Sequence, residues 1–222
     1  MRVLTEIGEQ GLELGDKYVI LRPSLYAMTC LGDPERIVEL FADLHKQPII
    51  IEHMDWDPSG VREAGDSLSV RMFRRYWREM LFLSHEVLNA CANGQDLVPF
   101  IGEPGQRYGS YRLGKVPAEA MLAMARSLMQ HGCVGKAARH DKGKSSGGEY
   151  SRSFEALQYV SLAVAHLGVT EQEAWNMTMT SFHGHWEAKH GKQQERRYED
   201  EHTATMNWLA AVNAIRDGKK NQ

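Results

Sequence analysis

The sequence predicts a mainly α-helical α+β fold, with a small N-terminal antiparallel β-meander packed on a helical bundle. Three observations lead there. Apolar residues recur at helical spacing in several long stretches, whereas strand-like patterning is confined to residues 2–21. Capping signals bracket those stretches, with Thr170 and Glu173 as a Thr-x-x-Glu box, Asp33-Pro34 as a start and Asn93-Gly94 as a stop. An apolar fraction of 42% and a charged fraction of 25% describe a globular chain that can bury a core. The 222 residues read as one domain. Its parts are a meander with short helices over 1–46, a helical region with a long Gly/Pro loop over 47–133, a flexible basic loop over 134–153, and C-terminal helices over 154–222.

In chain order, Val3, Leu4 and Ile7 form one strand-like run, Leu12 and Leu14 alternate, and Tyr18–Leu21 is apolar; Gly8 and Gly15-Asp16 supply turns. The result is a hairpin or a three-stranded meander, which needs a helix against it. Pro23, Leu25, Tyr26, Met28 and Leu31 predict a short helix stopping at Gly32. Asp33-Pro34-Glu35 then opens a helix over Ile37–His45, with Val38, Phe41, Ala42 and His45 on one side. Residues 46–68 are ambiguous. Asp55, Asp57 and Ser59 with Gly60 superficially resemble a calcium loop, but Pro58 sits inside it and Asp66 stands where a glutamate is required.

Arg71–Ala92 predicts a strong helix, with Phe73, Tyr76, Trp77, Met80, Leu81, Ser84, Val87 and Leu88 on its apolar face. Arg71, Arg74, Arg75 and Arg78 fall within about 100° of one another, a strip that could touch phosphate or an acidic partner, or remain solvated beside Glu79 and Glu86. Asp96–Val116 reads as a loop anchored by Tyr108 and Tyr111. A helix from Pro117 to Gln130, closed by Gly132, carries Met121, Met124, Ala125, Leu128 and Met129. Residues 134–153 are polar and basic. Gly143-Lys144-Ser145 there resembles the end of a phosphate loop, yet Ala138 occupies the position of the required first glycine.

Phe154–Leu167 predicts a helix with a stripe of Leu157, Val160, Val164 and Leu167, read as the most buried of the bundle. Gly168 breaks it, and the helix capped by Thr170 follows as its antiparallel partner. On that helix Trp175, Met179, Phe182 and Trp186 recur at steps of four, three and four, forming one apolar stripe that is either core or a contact surface for another protein. A last helix over Glu199–Asp217 ends in a basic tail.

Motifs for chemistry are sparse. His183 and His185 differ by about 200° on a regular helix and cannot chelate together unless the helix unwinds at Gly184, while His183 and His190 stand two turns apart. His131, Cys133 and His140 form a second weak metal possibility. Cys30, Cys91 and Cys133 are scattered and in no CxxC, which suggests reduced thiols. There is no Gly-x-Ser-x-Gly, no HExxH and no dinucleotide fingerprint. No cofactor and no catalytic residue are expected. Arg2 is followed by no apolar h-region and no long apolar run occurs, so neither a signal peptide nor a membrane span is expected. The net charge of −3 argues against non-specific coating of nucleic acid.

Ala174–Phe182, AWNMTMTSF, resembles a short motif of phage proteins encoded among siphophage tail genes. There it is followed by an amphipathic helix ending in a basic tail, as at Trp208–Lys220. Leu21–His45, LRPSLYAMTCLGDPERIVELFADLH, is similar to the opening of the same group. The middle of the chain has no such match. The group looks like tail assembly chaperones. The resemblance implies a non-enzymatic role: binding the tape measure protein and helping recruit tail-tube subunits of the major tail protein. It also implies action in the host cytoplasm and absence from the mature virion. It transfers no catalytic residues. Trp175, Met179, Phe182 and Trp186 are the candidate contacts, and self-association is left open. The competing readings are a structural tail or head-completion protein, a nucleic-acid-binding regulator using Arg71–Arg78 and the Lys136–Lys144 loop, and a metal enzyme.

Overall fold

A computed structural model describes residues 3–46, 68–107, 109–135 and 153–190, the side chains of 68–70 excepted. The calcium-like stretch at 55–66, the basic loop from 136 and the expected helix over 199–217 lie outside the described residues. The chain divides into two compact units, Met1–Gly184 and His185–Gln222. The fold is mainly helical α+β, with two small antiparallel hairpins.

The first hairpin pairs β1 (Gln10–Leu14) with β2 (Lys17–Leu21). Leu12 stands opposite Val19, and both are buried, so one face of the hairpin meets the helices as period-2 alternation requires. The expected third strand does not form. Thr5–Ile7 is a 3-10 turn closed by Gly8 in the left-handed region. The competing interaction is Glu9, buried and accepting the Leu4 amide at 2.8 Å while also holding Arg22. That bond folds the chain back before a strand can extend.

Helix α1 (Leu25–Thr29) is capped by Ser24, whose hydroxyl accepts the Ala27 amide at 3.1 Å. Helix α2 (Pro34–His45) is capped by Asp33, which accepts the Arg36 amide at 2.8 Å. Its buried face is Ile37, Leu40 and Leu44, one residue out of phase with the face anticipated from Val38, Phe41, Ala42 and His45. Phe41 and His45 stack on each other at the periphery instead, their rings 4.3 Å apart.

Helix α3 (Leu68–Cys91) buries Met80, Ser84, Val87, Leu88 and Cys91, and ends where Asn93 and Gly94 turn left-handed. The predicted 96–116 loop holds structure of its own. A single helical turn, α4 (Val98–Ile101), leads into a hairpin of β3 (Gly102–Pro104) and β4 (Tyr111–Leu113). Gly102 is what permits it: at φ +86° a Cβ would lie 1.9 Å from the Arg112 carbonyl oxygen.

Helix α5 (Ala118–Met129) packs along α3 through Met121, Leu122, Ala125, Leu128 and Met129. Gly132 does not close it. The chain continues as a π-helical turn over Gln130–Val134 and stops at Gly135. Helix α6 (Ala156–Leu162) likewise runs into a π turn over Ala163–Leu167. Its expected apolar stripe is not the most buried surface. Leu157 is 60% exposed and Val164 40%, whereas Ala156, Val160 and Ala163 face the core. Small residues let α6 lie close to α1 and push the large side chains outward.

The long helix anticipated from Thr170 to His190 is broken. Helix α7 (Glu171–Trp175) ends at Asn176, and α8 (Met179–His190) starts afresh. Thr178 accepts the Ser181 amide at 3.1 Å, an N-cap inside what reads as one periodic stretch.

Candidate partner-binding groove

The break between α7 and α8 leaves α7 as a short helix beside α1. The Leu25 amide donates to the Met177 carbonyl at 2.8 Å, so the first turn of α1 is tied to the interrupted segment. Asn176 donates from its side chain to the Gln172 carbonyl at 2.9 Å and finishes α7. At the other end Thr170 and Glu173 form a complete capping box, with the carboxylate receiving both the Thr170 amide at 2.9 Å and its hydroxyl at 2.8 Å. Those backbone and hydroxyl bonds hold the Glu173 carboxyl below its ordinary pKa.

Between the two short helices lies an open groove of about 770 Å³ lined by Tyr26, Thr29, Glu171, Gln172, Trp175 and Asn176. Tyr26 is 54% exposed, on the face of α1 opposite the buried Leu25 and Met28. Trp175 is half-buried, its indole N–H directed to the Glu171 carboxylate at 3.4 Å. Two aromatic walls and the polar edges of Gln172 and Asn176 suit an amphipathic segment.

The four stripe residues therefore divide. Met179 and Phe182 are core, at 1% and 4% exposure, and the Phe182 ring meets Tyr159 edge-on at 5.5 Å. Trp175 sits on a different helix and faces the groove. Trp186 belongs to the second unit, where its ring lies 4.4 Å from that of His190. Tyr26, Gln172 and Asn176 escaped the sequence reading. The available signal was Tyr26 with Thr29, three residues apart on the polar side of a helix whose other side is Leu25 and Met28.

His85 sits between Tyr111 and Asn89: Nδ1 is 2.8 Å from the Tyr111 hydroxyl and Nε2 is 2.7 Å from the Asn89 amide nitrogen. Burial lowers the His85 pKa and pushes Tyr111 up to about 12. Burial raises the Cys91 thiol and pushes Cys133 up to about 12. Cys133 lies 3.5 Å from the Met28 sulfur, and Cys30 is exposed. His183 packs beside Gly135, and His131 meets the Thr180 hydroxyl at 2.8 Å. Among the described residues, no group of three or more histidines, cysteines or acids is placed to hold a metal ion. Among the same residues, no helix is long and apolar enough to cross a membrane. Arg71, Arg74, Arg75 and Arg78 are all exposed.

A family model described as a family of unknown function (DUF6246) matches residues 21–204. No curated protein and no solved structure matches the chain.

Proposed function

We propose that this chain, which belongs to the DUF6246 family of unknown function, is a non-enzymatic tail assembly chaperone. In this reading it binds the tape measure protein and helps recruit tail-tube subunits around it. It acts in the host cytoplasm and leaves before the virion is complete. The resemblance of Ala174–Phe182 and Leu21–His45 to siphophage tail-cluster proteins supplies the class. The observation that carries it is the groove between α1 and α7, with Tyr26 and Trp175 as its walls. An extended client helix offers apolar side chains at turn spacing, and such a groove takes one or two of them while its amide edges satisfy the polar rim. Trp175 is the central contact. Met179 and Phe182 are buried in the core and are not contacts themselves.

Co-expression with a tape measure fragment tests the reading. The wild-type chain keeps the fragment soluble, and Trp175→Glu or Tyr26→Glu abolishes this while the chaperone itself still folds. A fragment that is equally soluble alone removes the proposal. Stoichiometric presence of the chain in purified particles, measured by mass spectrometry, would instead make it a structural virion component.

A further inference from the structure

One face of α3 carries residues 71, 74, 75, 78, 82, 85 and 89, which helical spacing places in a single row. The C-terminal half of that row is covered. Tyr111 of the second hairpin packs edge-on against Phe82 at 5.8 Å and His85 at 5.5 Å, and Asn89 closes the contact on His85. Gly109 of the same hairpin sits against the Arg78 side chain, its guanidinium included, and marks the edge of the cover. Toward the helix N-terminus the row consists of arginines alone, Arg71, Arg74, Arg75 and Arg78, and all four are exposed.

These four guanidiniums make no ion pair among the described residues. Among the described residues, Glu86 pairs with Arg36 at 3.5 Å and Glu103 pairs with Arg112 at 2.7 Å, while Glu79, one turn beyond Arg75, forms no ion pair and leaves the strip with a net positive charge. The hairpin loop beside Arg78 adds a further exposed cation, Arg107. The row rises about 10 Å from Arg71 to Arg78, so it concentrates positive charge within about one Debye length at physiological salt. The whole-chain charge of −3 does not cancel a field that local.

We infer that this arginine row binds the sugar–phosphate backbone of a nucleic acid. Arginine's planar fork matches phosphate oxygens two at a time. The choice of phosphate over an acidic protein follows from what the row lacks. A protein interface needs an apolar centre, and exposed arginine–carboxylate pairs alone stabilise little. Phe73, Tyr76 and Trp77, all half-buried, lie on the opposite side at helical spacing, and the exposed Met72 flanks the row as a single apolar side chain. Phosphate backbone requires no such centre, because its affinity comes from counterion release. The inference stands apart from client binding at the α1–α7 groove and does not depend on it.

The full-length chain is titrated into a labelled mixed-sequence DNA oligonucleotide, single-stranded and duplex, between about 50 and about 200 mM salt. With all four arginines engaged, log K falls against log salt with a slope of about −2.8 for the single strand and about −3.6 for the duplex. Arg74→Gln combined with Arg78→Gln reduces that slope by about half, replacement of all four by Lys preserves it, and Arg36→Gln leaves it unchanged. The four arginines of the row are solvent-exposed and Arg36 is half-buried, and unchanged circular dichroism confirms that each variant folds. Absence of binding at low salt overturns the inference, as does a slope that the Gln variant leaves intact. Displacement by polyglutamate as readily as by unlabelled DNA also overturns it, and assigns the row to an acidic protein.

Discussion

The guanidinium of Arg126 donates from Nε to the Leu44 carbonyl at 2.6 Å, binding α5 to the last turn of α2. Carbonyls at a helix C-terminus have no partner within the helix and carry the negative end of its dipole, so a cation there satisfies both. The same guanidinium approaches the Tyr76 hydroxyl at 3.5 Å, and Tyr76 in turn donates to the Lys46 carbonyl at 3.0 Å. Helices α2, α3 and α5 thus meet at one polar knot. Arg126→Met keeps the stem's packing and removes the donors. It is expected to cost about 1.5–3 kcal/mol, the range for a hydrogen bond to a charged group. Urea denaturation reads this as a lower midpoint at unchanged m. A midpoint equal to wild type would show that water replaces the bond at no cost.

The His85 contact gives the molecule a pH dependence with a definite sign. Asn89 presents N–H groups to Nε2, so Nε2 accepts and the proton sits on Nδ1, from which it is donated to Tyr111; the Tyr111 hydroxyl then donates to the Ile101 carbonyl at 3.2 Å. This relay requires neutral imidazole, and burial lowers the His85 pKa in the folded state. In the unfolded chain the ring takes up its proton near pH 6.5. Between that value and the lower folded pKa the unfolded state binds more protons, so stability rises with pH there. The contribution is complete above about pH 6.5 and is lost as pH falls toward the folded value. Wild type should therefore lose more stability than His85→Gln between neutrality and mildly acidic pH, measured by urea midpoints at each pH. Parallel pH profiles for the two proteins would contradict the relay.

Ser84 offers the opposite experiment, a substitution expected to help. It is fully buried on the core face of α3, and among the described residues its hydroxyl finds no hydrogen-bond partner. An unsatisfied buried hydroxyl costs about 1–3 kcal/mol, and alanine is also the better helix former. Ser84→Ala should raise the thermal midpoint, with a gain of about 1 kcal/mol after the small loss of packing volume. A fall in the midpoint would show that the hydroxyl is satisfied in solution.

Which features were legible in the sequence follows from how local their causes are. The starts at Asp33 and Thr170 depend on a side chain three residues from the amide it accepts, and the stop at Asn93-Gly94 on backbone preference alone. The break at Asn176–Thr178 was hidden, because Trp175, Met179, Phe182 and Trp186 keep helical rhythm across it. Its cause is distant: the Leu25 amide takes the Met177 carbonyl, a donor 152 residues away in sequence. Only Thr178 hinted at it, as a capping residue set inside an apolar period. The second hairpin was likewise obscured by glycine and proline, and it is secured by Tyr111 reaching His85 on α3. Leu157 and Val164 mislead for a different reason. Periodicity identifies two faces of α6, but the alanines decide which one can approach α1.

The separation of Trp175 from Phe182 yields the most direct test of the groove. Both lie in one motif, seven residues apart, and a single unbroken stripe would make them equivalent. In the fold Phe182 is 4% exposed and in ring contact with Tyr159, so Phe182→Ala should cost about 3–5 kcal/mol of stability. Trp175 is half-buried beside an open groove, so Trp175→Ala removes less packing and leaves the fold intact, with a loss of about 1–2 kcal/mol. Client binding should respond in the reverse order. At temperatures where both variants are folded, Trp175→Ala weakens capture of a tape measure fragment by at least about tenfold, as expected for a central aromatic contact, while Phe182→Ala changes it little. Paired denaturation and pull-down titrations read both quantities. Equal losses of stability would restore the single stripe, and undiminished capture by Trp175→Ala would remove the groove as the client's site.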